Sequence, residues 1–191
     1  YLRAHNGRPS AATAHEVTRM RILGPPPKGV TLATVKALLP GLGATALFVN
    51  DMAPALWAAA VKYAVDPVGL IAQAFKETGG GTFKGNVRAE FYNPAGIKLR
   101  HPGLFPGVTD GDNPLAHSMF ASWAVGAEAH AQHLRAYTGA LIDGHLVVDP
   151  RLVFVVGKYQ VDTFEELGGK WAPSPTYGTE IVSIAAKLIG A

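Results

Sequence analysis

Apolar residues recur along most of this chain at the three-to-four-residue spacing of amphipathic helices. The clearest helix begins at Asp66-Pro67, because aspartate caps a helix well and proline is tolerated at its first position. It ends at three glycines, residues 79–81. Other helices are predicted over about 11–22, 31–39, 54–64 and 119–137, and from Ser174-Pro175 towards the end of the chain. The pattern therefore predicts a mainly α protein.

Three segments interrupt the helical pattern. Residues 82–118 are rich in glycine, proline, asparagine and aspartate, and we expect a small hairpin or an irregular lobe there. Residues 146–156 are rich in β-branched side chains, which favours a short strand. Thr163 and Glu166 have the spacing of a capping box, and Gly168 would end the short helix that follows Thr163.

Prolines set the N-terminal part of the chain apart. Residues 24–29 hold three consecutive prolines, a composition typical of a stiff linker or a surface loop. We interpret residues 1–45 as an N-terminal extension, packed on or tethered to a main domain of residues 46–191. That domain is expected to be a helical lobe with a small irregular β-lobe.

The composition excludes several classes of protein. Apolar residues make up 48% and charged residues 16%, as in globular chains. There is no cysteine, so disulfides and thiolate zinc sites are excluded. The net charge of +3 comes without a block of lysine and arginine, so we expect no nucleic-acid binding. The most apolar stretch, residues 38–65, contains Pro40, Asp51 and Lys62, so we expect no membrane insertion.

Glu77 is the strongest candidate for catalysis. It follows Leu70 and Ala74 at helical spacing, so the three side chains share one face. A carboxyl at the end of an apolar face is expected to lie in a crevice, where desolvation raises its pKa. A general acid for glycoside cleavage needs this property, since it must hold its proton near neutral pH. The alternative is a solvated residue at a helix end, and the pattern alone leaves it open.

Four segments, in this order, resemble one known family. Residues 71–81 read Ile-Ala-Gln-Ala-Phe-Lys-Glu-Thr-Gly-Gly-Gly, and residues 92–98 read Tyr-Asn-Pro-Ala-Gly-Ile-Lys. Residues 120–123 read Phe-Ala-Ser-Trp, and residues 171–178 read Trp-Ala-Pro-Ser-Pro-Thr-Tyr-Gly. They are similar to motifs of glycoside hydrolase family 73, the β-N-acetylglucosaminidases of bacterial autolysins, flagellar peptidoglycan hydrolases and phage lysins. The resemblance covers about residues 59–190.

This resemblance implies a lysozyme-like α+β fold and cleavage of the β-1,4 bond between N-acetylglucosamine and N-acetylmuramic acid in peptidoglycan. Glu77 matches the general acid, and Tyr177 matches a tyrosine that lines the cleft opposite it. The residues expected to shape the cleft or bind substrate are Asn93, Gly96, Trp123 and Tyr137. The alternatives are a core tyrosine at position 177 and ordinary turn chemistry at positions 93 and 96.

The second catalytic group is where the chain departs from the family pattern. Some family members place a glutamate in the β-lobe, whereas this chain has Asp110 and Asp112 there. An inverting mechanism would need a base about 6.5–9.5 Å from the acid, with water between them. Alternatively, the acetamido oxygen of the substrate attacks, oriented by Tyr177 and Asn93. Both routes stay open, and the two aspartates fit a polar surface turn equally well. Weaker candidates for the second carboxylate are Glu90 and Glu128.

The histidines point to a different class of enzyme. His130 and His133 lie three residues apart on one predicted helix face, with His101 and His117 upstream. Three histidines would suit a zinc-dependent cell-wall amidase, but no acidic residue accompanies them at a known zinc-binding spacing. We therefore expect no metal and no cofactor. Further alternatives are a lytic transglycosylase or muramidase on the same fold, and a catalytically inactive wall-binding module.

The expected substrate also predicts a location. Peptidoglycan lies outside the cytoplasmic membrane, so we expect the protein in the cell wall or the extracellular space. It would be either a secreted autolysin or an endolysin delivered by a phage. We expect a monomer that binds peptidoglycan glycan strands.

Overall fold

The computed structural model describes residues 19–98, 117–142 and 144–191 of the chain. Within these ranges the α-helices are α1 (Leu32–Leu38), α2 (Ala53–Lys62), α3 (Pro67–Thr78), α4 (Trp123–Tyr137) and α5 (Tyr177–Leu188). Short helical turns occupy Leu39–Leu42, Phe48–Met52, Ala89–Phe91, Leu152–Phe154 and Phe164–Leu167. Extended backbone in the described ranges pairs as isolated bridges. The mainly α prediction is therefore confirmed, and the lysozyme-like fold stays a prediction.

Helix α3 contacts both α2 and α5 and holds the candidate acid at its end. It begins and ends as predicted. The Asp66 carboxylate accepts hydrogen bonds from two backbone N–H groups of the first turn, and Gly79 closes the helix with a φ of +59°. Residues 67–74 are all buried. Glu77 therefore extends from a helix that the core holds in place.

One hydrophobic cluster joins the five α-helices. Its members include Val35 of α1, Leu56 of α2, Leu70 of α3, Leu134 of α4 and Ile181 of α5, each at most 1% exposed. The longest of these helices, α4, has 15 residues. Among the described residues, no helix combines the length and the apolar character that a membrane span requires.

The described part of the predicted N-terminal extension packs into the same cluster. Its fully buried members are Ile22, Val35 and Leu39. Residues 24–29 form a loop at the surface. The predicted helix over 11–22 falls largely outside the described residues, and its last part is wrong. Residues 19–22 are not helical, because the Ile22 N–H donates to the Asp162 carbonyl at 2.9 Å. The boundary between residues 45 and 46 stays a prediction.

Helices α4 and α5 begin later than predicted, for local reasons. Helix α4 starts after Ser122 rather than at Met119, because the Ser122 hydroxyl caps its first turn. Helix α5 starts after Thr176 rather than at Ser174. There the Ser174 hydroxyl accepts a hydrogen bond from the Thr176 N–H, which forms a turn ahead of the helix.

The strand predicted over 146–156 is wrong. The backbone N–H groups of Val148 and Asp149 donate to the Gln132 side chain, at 2.9 and 3.0 Å, rather than to a neighbouring strand. The chain then enters the short helix Leu152–Phe154. Strand propensity depends on packing against a partner strand. Here the partner is a side chain of α4.

The capping box predicted at Thr163 does not form, although the short helix Phe164–Leu167 does. The Thr163 hydroxyl has no hydrogen-bond partner within the described residues. The Glu166 carboxylate accepts a hydrogen bond from the Asp162 N–H at 3.0 Å instead. A bridge between Arg21 and Thr163 fixes the backbone at this point, so tertiary pairing replaces the local cap.

Candidate active site

A cleft of about 830 Å³ is bounded by the end of α3, by α4, by residues 82–98 and by residues 171–173. We call residues 82–98 the loop wall, and the side formed by α3, α5 and residues 171–173 the helical wall. The loop wall consists of turns and the short helix Ala89–Phe91, as expected for this part of the predicted irregular lobe; residues 99–116 of that lobe lie outside the described residues. Four predicted site residues line the cleft: Glu77, Asn93, Gly96 and Tyr137.

The Glu77 carboxyl is held through one of its two oxygens. Its Oε1 accepts a short hydrogen bond from the Tyr177 hydroxyl and a second one from the Trp171 indole N–H at 3.1 Å. Its Oε2 has no hydrogen bond within the described residues. Because Glu77 lines the cleft and is exposed on that side, Oε2 is available to a ligand. Tyr177 thus contacts Glu77, but it is 3% exposed and is not among the residues that line the cleft, so its expected place in the cleft lining stays a prediction.

The surroundings raise the pKa of Glu77 above its ordinary value. Desolvation by the protein atoms around the carboxyl is the largest cause. Hydrogen bonds from Tyr177 and Trp171 oppose it, as does the positive charge of Lys76. Because Glu77 is exposed towards the cleft, solvent moderates the desolvation. The net effect is a raised pKa, which is the direction that a general acid needs.

Behind Glu77 lies a buried row of polar side chains. The Gln73 Nε2 group donates to the Tyr177 hydroxyl at 3.0 Å, and the Gln73 Oε1 atom lies 2.9 Å from His130 Nε2. Since the amide nitrogen is used as a donor, Oε1 must accept, so His130 carries its proton on Nε2. Burial raises the pKa of Tyr177 and lowers the pKa of His130 to about 3. The row is therefore neutral, and it aims the Tyr177 hydroxyl at Glu77.

Asn93 organises the loop wall and is fully buried. Its Nδ2 group donates to the carbonyls of Ile97 and Ser118, at 2.9 and 3.0 Å. Its Oδ1 atom accepts from the N–H groups of Ala95 and Ile97. All hydrogen-bonding capacity of the amide is used within the fold. Asn93 therefore shapes the cleft and has nothing left with which to orient an acetamide.

Tyr137 and Trp123 occupy different positions relative to the cleft. Tyr137 lines it and stacks on Tyr159, with ring centroids 4.7 Å apart. Trp123 packs against Phe83 and Tyr92 at centroid distances of 5.7 and 5.3 Å, and Phe83 lines the cleft. Both partners of Trp123 have a left-handed backbone, with φ near +48° and +49°. The contact of Trp123 with the cleft is thus made through the loop wall that it supports.

The other carboxylate candidates fall in three places. Asp110 and Asp112 lie outside the described residues, so their proximity to Glu77 stays a prediction. Glu90 is exposed on the short helix of the loop wall and is not part of the cleft lining. Glu128 accepts hydrogen bonds from Lys62 and from the Tyr63 hydroxyl, at 2.9 and 3.0 Å, away from the cleft lining.

Sequence reasoning missed a pair of side chains at the cleft. His133 lines the cleft, and its Nδ1 lies 2.7 Å from Asp149 Oδ2. The indole of Trp171 joins this pair to the acid, since it donates to Glu77 and packs edge-on against the His133 ring at 5.1 Å. The spacing from His130 is the sequence signal for His133, whereas no pattern in the sequence indicates Asp149.

The two helical histidines do not share one environment. His130 is fully buried, whereas the His133 side chain is 12% exposed. Within the described ranges no three histidine, cysteine or acidic side chains come together in a group that would hold a metal ion. His101, a further candidate ligand, lies outside the described residues.

No protein-family model matches the chain, and no solved structure matches it. The chain is similar to a protein of Borreliella burgdorferi that is described as an uncharacterized protein, with 31% identity over 118 residues. The match covers 62% of this chain and 52% of that protein, so the chain spans about half the length of this relative. The description of the relative names no activity, and the functional argument therefore rests on the geometry of the cleft.

Proposed function

We propose that this chain is a peptidoglycan hydrolase that cleaves the β-1,4 bond between N-acetylglucosamine and N-acetylmuramic acid, with Glu77 as its general acid. One observation supports this most strongly. The Glu77 carboxyl lies in a large cleft, is anchored through Oε1 alone, and has a pKa raised by burial. A carboxyl with a raised pKa and one oxygen left for a ligand is the arrangement that glycoside cleavage requires.

The lining of the cleft suits an extended sugar polymer. Aromatic rings of Phe83, Tyr137 and Trp171 offer apolar surfaces, while hydroxyl and amide groups nearby offer hydrogen bonds. Lys84, Lys98 and Arg151 also line the cleft, beside the Glu77 carboxyl.

The bond-breaking step uses the free oxygen of Glu77. Its Oε2 proton passes to the bridging oxygen of the glycosidic bond as the bond to the sugar C1 breaks. The Glu77 carboxylate that remains is stabilised by the hydrogen bonds from Tyr177 and Trp171. The helical wall thus supports both states of the acid, and the reaction needs no cofactor.

This activity places the protein in the bacterial cell wall, either as a secreted autolysin or as a phage endolysin. Residues 46–191 would then form a lysozyme-like catalytic domain that acts as a monomer on glycan strands. The loop wall would be part of the β-lobe of that domain.

Mass spectrometry of the sugar ends released from purified peptidoglycan tests the proposal. The native protein should release reducing N-acetylglucosamine ends, and Glu77→Gln should lower the rate by at least roughly 10²-fold. Glu128→Gln is the matched control, because Glu128 also accepts a hydrogen bond from a buried tyrosine. It should keep nearly native activity.

Other products would point to other enzymes. Anhydro sugar ends would indicate a lytic transglycosylase, and reducing N-acetylmuramic acid ends a muramidase. Freed stem peptides, with undiminished activity of Glu77→Gln, would contradict the proposal and favour an amidase.

A further inference from the structure

We propose that His133 is the second catalytic residue, the general base that activates the attacking water, and that Asp149 positions it. This rests on the proposed glycosidase function. The general base would then be His133, which belongs to the described part of the chain, and not Asp110 or Asp112.

Asp149 is held so that its orientation is fixed. Its side chain is 0% exposed, and its Oδ1 accepts the Arg151 N–H at 2.8 Å. Its own backbone N–H donates to Gln132 of α4. The remaining oxygen, Oδ2, therefore faces His133 Nδ1 at 2.7 Å, with no freedom to turn away.

This pairing sets the tautomer of His133. A carboxylate only accepts hydrogen bonds, so the Nδ1 atom of the imidazole carries the proton that points at Asp149. Nε2 is then the atom with the free electron pair. This atom has no hydrogen-bond partner within the described residues. It is also not one of the fully buried side-chain atoms that lack a partner there. Because His133 lines the cleft, this electron pair is available to a ligand or a water there.

His133 is also close to the acid. Its ring packs edge-on against Trp171, and the N–H of the same indole binds Glu77. Tyr137 contacts the His133 ring from another side, at a centroid distance of 5.5 Å. The acid and the proposed base thus both contact Trp171, and both line the same cleft.

His130 makes the contrast clear. It lies one helical turn before His133 on α4, but it is fully buried and its Nε2 proton is used by Gln73. A ligand in the cleft cannot reach that nitrogen. Of the two histidines, His133 alone combines a buried carboxylate partner with access to the cleft.

The proposed step balances as a single displacement. His133 Nε2 takes one proton from water as the water oxygen bonds to C1 of the N-acetylglucosamine unit. The bond from C1 to the bridging oxygen breaks, and that oxygen takes the proton from Glu77 Oε2. The product is a reducing sugar with inverted configuration, the α anomer. Asp149 stabilises the imidazolium, and solvent then removes its proton and restores that of Glu77.

The test measures released reducing ends and the anomer formed first, by proton NMR before mutarotation. His133→Gln should lose roughly 10²–10⁴-fold in rate. His133→Ala with added azide should yield the α-glycosyl azide, because azide needs no base. His145→Gln is the control, since His145 is an exposed histidine beside Tyr63 at another surface.

Asp149→Asn separates a positioning role from a merely structural one. The asparagine keeps Oδ1 for Arg151 but presents an N–H to His133, which forces the proton of the ring onto Nε2. We expect an unchanged melting temperature, a reversed His133 tautomer in ¹⁵N NMR, and a rate loss of at least about 10-fold.

Two results would overturn the assignment while leaving the glycosidase intact: native rates for His133→Gln and Asp149→Asn, or release of the β anomer first. If the native protein releases no reducing N-acetylglucosamine ends, the proposed function itself fails, and the role of His133 fails with it.

Discussion

The same trio of side chains occurs twice in this molecule. On the helical wall, Gln73 donates to the Tyr177 hydroxyl, and Tyr177 donates to Glu77. Between α2 and α4, Gln132 donates to the Tyr63 hydroxyl at 2.9 Å, and Tyr63 donates to Glu128 at 3.0 Å. Both glutamines are fully buried, and both tyrosines are at most 3% exposed. Identical local chemistry therefore does not by itself make a catalytic site.

The surroundings of the two trios differ at both ends. Glu128 forms an ion pair with Lys62 at 2.9 Å, whereas Glu77 opens into the cleft and accepts from Trp171. The far end of Gln73 meets His130, while the far end of Gln132 accepts two backbone N–H groups of residues 148–149. One trio thus aims an acid at a cleft, and the other fixes a loop. The following variants test this division, from the largest expected effect to the smallest.

Gln132→Leu should destabilise the protein more than Gln73→Leu does. Removal of Gln132 leaves two N–H groups, the Leu146 carbonyl and a hydroxyl without this partner, so we expect a loss of at least about 3 kcal/mol. Removal of Gln73 leaves Tyr177 and His130 each short of one partner, and should cost about 1–3 kcal/mol. Urea denaturation of both variants measures the difference. Equal losses would contradict the loop-fixing role of Gln132.

His130 should make the fold sensitive to acid. Its pKa is lowered to about 3 in the folded protein, against an ordinary value of 6.5. The unfolded chain therefore binds this proton more readily, and stability falls as the pH drops from about 6.5 towards 3. Where the unfolding free energy changes most steeply with pH, it falls by about 1.4 kcal/mol per pH unit. His130→Gln should remove this contribution, which unfolding free energies at pH 6.5 and 5 would detect. If the slope of the unfolding free energy against pH is the same in His130→Gln, the prediction that His130 is buried in its neutral form is contradicted.

Much of the fold could be predicted because helix ends and helix faces are set by residues that are close together in the sequence. The cap at Asp66, the glycine after α3 and the buried face of α5 are set by residues within a few positions of one another. The error over 146–156 has a distant cause. The N–H groups of that segment find a side chain 16 and 17 positions earlier, which no periodicity reveals.

The candidate site divides in the same way. The position of Glu77 follows from the apolar face of its own helix, so the pattern indicated it. The partners of the acid are 94 and 100 positions away, at Trp171 and Tyr177. The role of Tyr177 follows from the family resemblance, and nothing in the sequence predicts a role for Trp171. His133 becomes a candidate only through its contact with Asp149. That contact depends on the hydrogen bonds between Gln132 and the N–H groups of Val148 and Asp149.

The smallest expected effect separates the two tyrosines. Donation by Tyr177 lowers the pKa of Glu77, so Tyr177→Phe should raise that pKa. A general acid acts only while protonated, and activity falls as the pH rises through its pKa. The basic limb of the pH–rate profile should therefore move to higher pH, with a maximal rate within about tenfold of the native rate.

Tyr63→Phe is the matched control for this shift, since it removes the same hydroxyl from the other trio. It should leave the pH profile where it is and lower only the stability, by about 1–3 kcal/mol. A basic limb that moves equally in both variants would mean that the profile reports general loosening of the fold. A limb that moves only in Tyr177→Phe would identify Glu77 as the titrating group, because Glu77 is the acid that accepts the hydrogen bond from the Tyr177 hydroxyl.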